Sequence, residues 1–339
     1  MCIRDSCGVC HSDLSLIDGA FPAFTPMILG HEAAGIVEEV GAGVRSLQPG
    51  DRVILSPCPS CGSCYWCQRA EWSICESSRS LMTATHPDGG TRLSRNGEIV
   101  YRGTGMGAFA ESVVVAEAGA IQVPDDVPLE IACVIGCSVQ TGVGAVLNTA
   151  AVEHGATVLI MGLGGVGLSA VQGAVVAGAA RIIASDPVKA RRDLASRFGA
   201  TDLVDPHTTD VVVAAMEATG GIGVDYAFDA AGRVELVQQA IDATRIGGTT
   251  VMVGVPPLGE ELTYSSATLF TAMEKKLLGC LLGSSNSRRD VPMLLSLWRQ
   301  GRLDLDGMIT SRRSLDDINA ALDDLRSARG IRTVISVGA

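Results

Sequence analysis

The chain has 339 residues, of which 47% are hydrophobic and 19% charged, and its net charge is -11 at neutral pH. This length predicts about two domains, each with enough residues to bury a core. The acidic balance argues against nucleic acid or an anionic membrane as a partner, and no apolar run reaches the roughly eighteen residues of a membrane span.

The cysteines indicate metal binding and a reducing compartment. There are 11 of them, an odd number, and their clustering suits metal sites better than a disulfide framework. Residues 1–13 lack the apolar core of a secretory signal. We therefore expect a cytoplasmic protein.

The chain opens on the motif CGVCHSD at residues 7–13, with no predicted strand before it to hold Cys10 in place. The first six residues, MCIRDS, do not resemble a native start. We expect that the true N-terminus is missing, and with it the strand that would position Cys10.

A histidine and a glutamate, His31 and Glu32, follow a glycine within residues 26–51. Residues 36–40 are predicted to form a strand, and the glycines and Pro49 mark turns. From this segment alone His31 is either a structural histidine or a metal ligand, and structural histidines are the commoner case.

Four cysteines lie close together in the segment of about residues 56–78, with the spacing CxxCxxC followed by a fourth after seven residues: Cys61, Cys64, Cys67 and Cys75. Four thiolates at this spacing predict a tetrahedral zinc with no open position, which stabilises the fold and does not catalyse. Free or redox-active thiols are the alternative. Cys58 is one cysteine more than the pattern needs.

Strands are predicted at residues 109–115 and 120–123, followed by a helix that begins at residue 129. From residue 156 onward strands and helices alternate, with the strands at 156–162, 181–186, 202–204, 224–230, 249–255 and 276–283. Such alternation predicts a doubly wound parallel sheet. Two amphipathic helices, 291–300 and 315–326, and a strand at 333–337 complete the chain.

The first of these alternating units contains a glycine turn. Apolar residues 157–161 predict a strand buried on both faces, and Gly162, Gly164 and Gly167 follow it in GxGxxG spacing. These glycines permit a tight turn, a close approach to a pyrophosphate, and the packing of the next helix on its strand. The helix N-terminus favours phosphate. The pattern predicts a dinucleotide site, although a glycine turn without a nucleotide is the alternative.

Asp186 follows the second strand of this unit, about twenty residues after the turn. A carboxylate there accepts hydrogen bonds from a ribose diol, which favours NAD over NADP. Lys189, Arg191 and Arg192 come next and either bind a 2′-phosphate or lie on a solvated helix face, which is the commoner case.

Five features lie in one order along the chain: Cys10, GHE at residues 30–32, the four-cysteine cluster, Cys137, and GLGGVG at residues 162–167. In this combination the chain resembles the zinc-dependent alcohol dehydrogenases of the medium-chain dehydrogenase/reductase family. The resemblance implies an α/β protein with a Rossmann domain and a GroES-like, mostly β catalytic domain. The implied bounds are 1–138 for the catalytic domain, 139–281 for the NAD-binding domain and 282–339 for a return to the catalytic domain.

The resemblance implies a second, catalytic zinc, held by Cys10, His31 and Cys137, with a fourth position open to water or alcohol. The metal would stabilise an alkoxide, which then gives hydride to nicotinamide. Glu32 matches a residue that can approach the metal, and Asp13 matches the carboxylate that orients the ligand histidine.

A proton relay is also implied. Ser12 matches the hydroxyl that passes the proton of the alcohol outward. The end of the relay stays open, because Ser15 stands where some relatives have a histidine.

The resemblance implies NAD contacts spread along the chain. The matched residues are His11, Arg332, Gly165 and Val166 for the pyrophosphate and its glycine turn, Asp186 and Arg191 for the adenosine ribose, and Thr141, Val253 and Val255 for the nicotinamide. For Val253 and Val255 a buried strand is an equal alternative.

The substrate is less determined. Residues 87–115 are similar to class III enzymes, which oxidise the hydroxymethyl adduct of glutathione, and Arg92 would match their anion-binding arginine. Ordinary surface charge is the alternative for Arg92. The acidic pair that binds the amino end of the thiol is missing, since Ala20, Phe21 and Pro22 occupy that loop.

We therefore expect an NAD-dependent zinc alcohol dehydrogenase acting reversibly on a primary aliphatic or aromatic alcohol, with two zinc ions per subunit. The alternatives are an S-(hydroxymethyl)thiol dehydrogenase and a zinc- and dinucleotide-binding protein without catalysis. The expected partners are small-molecule alcohols and aldehydes, with neither nucleic acid nor membrane, and the resemblance implies a homodimer or homotetramer.

Overall fold

The structure is a computed structural model that describes residues 2–264 and 266–337. It divides into two compact units: the first contains the chain up to Gln140 together with the segment from Ser285 onward, and the second is Thr141–Ser284. The junctions thus lie at residues 140/141 and 284/285, compared with 138/139 and 281/282 in the sequence-based prediction.

The strands of the described residues are, in chain order, β1 (Cys2–Gly8), β2 (Met27–Ile28), β3 (Glu32–Val37), β4 (Arg52–Leu55), β5 (Ser94–Arg95), β6 (Glu98–Ile99), β7 (Tyr101–Arg102), β8 (Ser112–Val113), β9 (Ala120–Gln122), β10 (Thr157–Met161), β11 (Arg181–Ser185), β12 (Asp202–Val204), β13 (Val224–Asp229), β14 (Thr244–Met252), β15 (Lys276–Gly279), β16 (Ile309–Ser314) and β17 (Arg332–Ser336).

The α-helices are α1 (His11–Ile17), α2 (Ser80–Thr83), α3 (Leu129–Val134), α4 (Gln140–Gly144), α5 (Gly165–Ala177), α6 (Lys189–Arg197), α7 (Val211–Ala218), α8 (Val234–Ala243), α9 (Ala267–Ala272), α10 (Ser287–Arg299) and α11 (Ile318–Arg326). Two wider π-helical turns, Ile135–Val139 and Ala145–Thr149, continue α3 and α4.

The main sheet of the first unit has the order β16-β17-β1-β3-β4-β9, and β8 also pairs with β1. Its described pairs are antiparallel except β16 with β17. Alternate side chains such as Cys7, Ala33 and Val53 point into one core and are fully buried. The register places Gly8, at the end of β1, opposite Glu32, at the start of β3. This pairing brings the residues just after β1 close to those just before β3.

The prediction that no strand precedes Cys10 is wrong. The opening residues form β1, which hydrogen-bonds to β3, β8 and β17. The composition of these residues gives a weak strand signal, but backbone pairing with several neighbours overrides intrinsic preference. Cys10 is therefore held by a strand that lies between β3 and β17 in the sheet.

The second unit contains a sheet of six parallel strands in the order β12-β11-β10-β13-β14-β15. When β10 is counted as the first strand of this unit, the order is 3-2-1-4-5-6, which is the doubly wound order of a Rossmann fold. The predicted fold class is therefore confirmed. Side chains of the central strands, including Leu159, Ile183 and Ala227, form a buried core with α7 and α8.

Several predicted elements differ from the observed ones. The strand predicted for 276–283 ends at Gly279, and the strand predicted for 109–115 is confined to Ser112–Val113. Strand β16 was not predicted, because its alternating pattern ITSRRS is mostly polar and its pairing is parallel to β17. These differences lie at element ends and in edge segments, where local sequence patterns are weakest.

One helical stretch, Leu129–Thr149, is long and apolar enough to cross a membrane, with a mean hydropathy of 1.6. Small polar residues interrupt the apolar pattern of this stretch, but they do not lower its mean hydropathy below that of a membrane span. The stretch therefore corrects the prediction that no apolar run reaches that length. The most apolar part of this stretch is 89% buried inside the protein, as in the core helix of a soluble protein.

Candidate metal and dinucleotide sites

The four predicted ligands of the structural zinc converge in a loop of the first unit. The sulfur atoms of Cys61, Cys64, Cys67 and Cys75 all lie within 4.8 Å of one another, and the Cys64 and Cys75 sulfurs are 3.7 Å apart. A tetrahedral zinc with Zn–S bonds of about 2.3 Å requires sulfurs about 3.8 Å apart. The four sulfurs therefore fit a zinc ion.

Backbone N–H groups of the same loop point at these sulfurs. The amide of Cys64 donates to the Cys61 sulfur at 3.3 Å, and the amide of Cys61 donates to the Cys75 sulfur at 3.2 Å. The Ser63 and Cys64 amides, both directed at the Cys61 sulfur, lower the pKa of the Cys61 thiol to about 6. The loop thus favours the thiolate of Cys61, which is the form that binds zinc.

The second cluster joins three distant residues, as the family resemblance implied. The ligand atoms of Cys10, His31 and Cys137 lie within 4.8 Å of one another, with Cys10 and His31 buried. Hydrogen bonding between the thiols lowers the pKa of Cys10 and raises the pKa of Cys137. Two sulfurs and one imidazole are a donor set that zinc uses in catalytic sites.

The imidazole of His31 is oriented by a buried carboxylate. Its Nδ1 lies 3.2 Å from Oδ1 of Asp13, which leaves Nε2 for a metal. Although burial lowers the pKa of His31, the neighbouring Asp13 raises it well above its usual value. Asp13 also accepts hydrogen bonds from the amides of Cys10 and Gly30, so it fixes both ligand segments.

Glu32 is completely buried next to this cluster. Its Oε1 accepts hydrogen bonds from the amide of Ser138 and the Nη2 of Arg332, both at 2.7 Å, whereas its Oε2 has no hydrogen-bond partner within the part of the chain that the structure describes. Burial raises the pKa of Glu32, and the charge of Arg332 opposes that rise. A Cβ at Gly8 would lie 2.1 Å from Oε2, so only glycine leaves room for this carboxylate.

The glycine turn of the second unit has the geometry that a dinucleotide needs. Gly162 has a φ of +88°, and a Cβ at Gly167 would lie 1.8 Å from the carbonyl oxygen of Gly162. By contrast, no atom lies within 4 Å of a Cβ built at Gly164, so the backbone there faces open space. The space beside Gly164 and the start of α5 at Gly165 fit a pyrophosphate.

Asp186 lies at the end of β11 next to this turn. Its Oδ2 accepts the amide of Leu163 at 2.7 Å, and its Oδ1 accepts the amide of Val188 at 2.8 Å. Arg191 lies 3.8 Å from Oδ2, and its Nε is buried without a partner among the described residues. The carboxylate is thus positioned by the turn, with lone pairs left for a ribose.

The other residues predicted to contact the cofactor have varied surroundings. His11 is exposed at the start of α1, and Thr141 is buried. Val253 is buried, but Val255 lies beyond β14 and is 63% exposed, so the alternative of a buried strand fails for Val255. The pyrophosphate contact predicted for Arg332 stays a prediction; the side chain is buried in the first unit.

Two residues with predicted roles near the substrate are exposed to different degrees. Ser12 is partly buried, and its hydroxyl lies 3.9 Å from the Cys10 sulfur. Arg92 is 45% exposed and forms an ion pair with Asp88. An anionic substrate would therefore compete with Asp88 for Arg92.

Sequence reasoning missed Ser138. The residue is buried, its amide binds Glu32, and its hydroxyl accepts a hydrogen bond from Arg332 at 3.0 Å. The only signal for it in the sequence is its position directly after Cys137, because its partners are about one hundred and two hundred residues away.

Two family models match the chain. Residues 4–125 match the alcohol dehydrogenase GroES-like domain, and residues 165–299 match the zinc-binding dehydrogenase domain. The chain is 37% identical to alcohol dehydrogenase B of Mycobacterium tuberculosis over 335 residues, which cover 98% of this chain and 89% of the relative. The chain belongs to the zinc-binding alcohol dehydrogenases of the medium-chain dehydrogenase/reductase family. The resemblance noted from the sequence is thereby confirmed.

Further members of this family are similar over the same length. An S-(hydroxymethyl)glutathione dehydrogenase of Synechocystis is 38% identical over 97% of this chain and 89% of its own. The crystal structure of benzyl alcohol dehydrogenase from Acinetobacter calcoaceticus has a TM-score of 0.93 at 32% identity, covering 99% of this chain and 91% of that one.

A zinc-binding dehydrogenase structure from Sinorhizobium meliloti, bound to NADP, has a TM-score of 0.80 at 30% identity, over 99% of this chain and 91% of that one. Family membership and the four-sulfur cluster together indicate zinc and a nicotinamide dinucleotide as cofactors. The chain is accordingly an oxidoreductase of the alcohol dehydrogenase type.

Proposed function

We propose that this protein transfers hydride between a primary aliphatic or aromatic alcohol and NAD, reversibly giving the aldehyde. The single observation that supports this most is the convergence of Cys10, His31 and Cys137 within 4.8 Å. Three protein ligands leave a tetrahedral ion one open position, which is the arrangement of a catalytic zinc. The four-cysteine loop, in contrast, would hold a structural zinc.

When bound, the catalytic zinc would supply the positive charge that lowers the pKa of an alcohol hydroxyl, and the dinucleotide would supply the hydride acceptor. The side chains of this protein have supporting tasks. Asp13 orients the imidazole of His31, and the buried carboxylate of Glu32 places a negative charge beside the cluster. Ser12, whose hydroxyl lies 3.9 Å from the Cys10 sulfur, would pass the alcohol proton toward solvent.

The preference for NAD rests on Asp186. A carboxylate at this position accepts hydrogen bonds from a ribose diol and repels a 2′-phosphate. The nearby guanidinium of Arg191 has the opposite effect, and one similar structure is bound to NADP. The buried carboxylate lies directly against the glycine turn, and we therefore place NAD first.

A decisive experiment replaces one ligand of the proposed catalytic zinc. We expect Cys10→Ser to reduce kcat for benzyl alcohol oxidation by about a thousandfold or more, because the metal would lose a ligand while the loop zinc remains. Metal analysis should find two zinc ions in the wild type and one in the variant. Unchanged turnover in Cys10→Ser would remove the proposal.

A second candidate, oxidation of an S-(hydroxymethyl)thiol, is favoured by the similarity to the Synechocystis enzyme. The ion pair of Arg92 with Asp88 weakens this candidate slightly, since an anionic substrate would have to compete with Asp88 for the guanidinium. A comparison of kcat/KM for S-(hydroxymethyl)glutathione and benzyl alcohol decides between them. A ratio well above one would favour the thiol adduct. Two bound zinc ions with no turnover of either substrate would favour the non-catalytic alternative.

We also propose that the protein is soluble, cytoplasmic and a homodimer or homotetramer. Strand β15 lies at the edge of the six-stranded sheet, where an unpaired strand can extend the sheet of a second copy. The clustered cysteines support a reducing compartment. Light scattering of the purified protein would determine the subunit count.

A further inference from the structure

Helix α6 carries two adjacent arginines beside Asp186, and their surroundings differ. Arg191 lies 3.8 Å from Oδ2 of Asp186, and its Nε has no hydrogen-bond partner among the described residues. Arg192, by contrast, is held on two sides. Its Nη1 donates to the carbonyl oxygen of Asp186 at 2.5 Å, and its Nη2 donates to Oδ2 of Asp205 at 2.8 Å. Only 13% of the Arg192 side chain is exposed, so it does not lie on a solvated helix face.

Asp205 comes directly after β12, at the carboxyl end of the strand that pairs in parallel with β11. Asp186 comes directly after β11, so both carboxylates lie at the same edge of the sheet. The carboxyl ends of such strands border the crevice in which a dinucleotide binds. Oδ1 of Asp205 accepts the amide of His207 at 3.0 Å, and this hydrogen bond orients the other oxygen toward Arg192.

The charges around the expected ribose position are balanced. The carboxylates of Asp186 and Asp205 face the guanidinium groups of Arg191 and Arg192. The 2′-phosphate that distinguishes NADP from NAD carries nearly two negative charges, and it binds well to an arginine with free N–H groups. Arg192 lies against the residue that is expected to bind the ribose, but two of its nitrogens already have acceptors.

We propose that Asp205 is a specificity-determining residue for the dinucleotide: it holds Arg192 and cancels its charge, and it thereby favours NAD over NADP. This inference rests on the proposed function and adds a second carboxylate to the role of Asp186. Asp186 acts on the ribose directly, whereas Asp205 acts through the arginine. Without Asp205, one excess positive charge would lie beside the ribose, and Arg192 would be free to turn toward a 2′-phosphate.

The test replaces Asp205 with asparagine and measures binding without turnover. Asp205→Asn removes the charge but keeps an oxygen for the amide of His207. The probes are ADP-ribose and 2′-phospho-ADP-ribose, titrated at one fixed ionic strength because salt screens partly exposed charges. We expect the variant to bind 2′-phospho-ADP-ribose about tenfold more tightly than the wild type does, whereas its affinity for ADP-ribose stays within about twofold.

Asp202→Asn is the matched control. Asp202 lies at the other end of β12 and pairs with Arg181 at 2.6 Å, and its side chain is 29% exposed, compared with 28% for Asp205. The control removes an equal charge from an ion pair on the same strand, away from the crevice, and should change neither affinity. An equal gain in affinity for 2′-phospho-ADP-ribose in Asp202→Asn would show that net charge alone is responsible, and it would overturn the proposal.

A second comparison tests whether Asp205 acts through Arg192. In an Arg192→Gln background, Asp205→Asn should no longer increase the affinity for 2′-phospho-ADP-ribose, because the guanidinium that it releases is missing. A gain of the same size in that background would contradict the proposal. If Asp205→Asn does not fold, Asp205→Ser serves in its place, since a serine hydroxyl also accepts the His207 amide.

The wild type separates the failure of this inference from that of the proposed function. If the wild type binds neither probe, or binds 2′-phospho-ADP-ribose more tightly than ADP-ribose, the proposed NAD-dependent function and this inference fail together. If the wild type prefers ADP-ribose and Asp205→Asn has the same preference, only the role of Asp205 is contradicted.

Discussion

The two candidate metal sites of this protein are built in opposite ways. The four-cysteine cluster lies within a single loop, Cys61 to Cys75, and its sulfurs accept hydrogen bonds from amides of that loop. The other cluster gathers Cys10, His31 and Cys137 from three segments, and buried side chains hold those segments together. We therefore expect the four-cysteine loop to depend on its metal for its conformation. We expect the geometry of the other cluster, whose ligands are far apart in the sequence, to depend on the fold.

The largest effect should come from removing a ligand of the local cluster. We expect Cys75→Ser to lower Tm by about 10 °C or more, because zinc binding supplies much of the folding free energy of such a loop. Thermal unfolding and metal analysis check this, with one zinc ion lost. A Tm equal to that of the wild type would show that the loop is held by its own contacts, and the contrast between the sites would fail.

A smaller effect on stability, but a clear one on metal affinity, should follow from Asp13→Asn. The variant keeps the shape of Asp13 but weakens its hold on His31 and on the amides of Cys10 and Gly30. Zinc affinity at the distant cluster should fall about ten- to a hundredfold, measured by chelator competition.

Asp18→Asn is the control for this experiment, since Asp18 is exposed and pairs with Arg326. The loop zinc should stay bound in both variants. Equal zinc affinity in Asp13→Asn and the wild type would mean that the fold positions His31 without its carboxylate partner.

The smallest effect should come from Cys58→Ala. Cys58 is buried close to the loop, but it is not among the four sulfurs that lie within 4.8 Å of one another. We expect two zinc ions to remain and the free energy of unfolding to fall by only about 1 kcal/mol, the usual cost of a small core substitution. Urea unfolding with metal analysis tests this, and loss of a zinc ion would make Cys58 a ligand.

Much of the fold was predictable because its signals are local. The apolar strands and the glycine turn of the second unit follow from short-range patterns, and the observed sheet has the predicted doubly wound order. Strand β1 was not predictable in this way, since its place depends on pairing with β3, β8 and β17. The helix predicted to begin at residue 129 does begin there, but its apolar extent, to Thr149, was not predicted.

The two candidate metal sites also differ in how far the sequence predicts them. The spacing of four cysteines within one loop predicts a metal site without any knowledge of the fold, because it matches the short ligand spacings of structural zinc sites. Cys10, His31 and Cys137 could be joined only through the family resemblance, and that resemblance, not their spacing, supplied the prediction. The three buried hydrogen bonds of Arg332 likewise join residues that are far apart in the sequence, and no local pattern predicts them.

The sequence by itself therefore determined the features whose parts are neighbours along the chain: the zinc loop, the glycine turn and the alternation of strands and helices. The tertiary structure alone decided which distant residues meet, including the contact of Ser138 and Arg332 with Glu32. The physical reason is that hydrogen bonds and metal ligation act over a few ångströms. Local spacing sets such distances directly, whereas those between residues hundreds of positions apart are set by how the sheet folds.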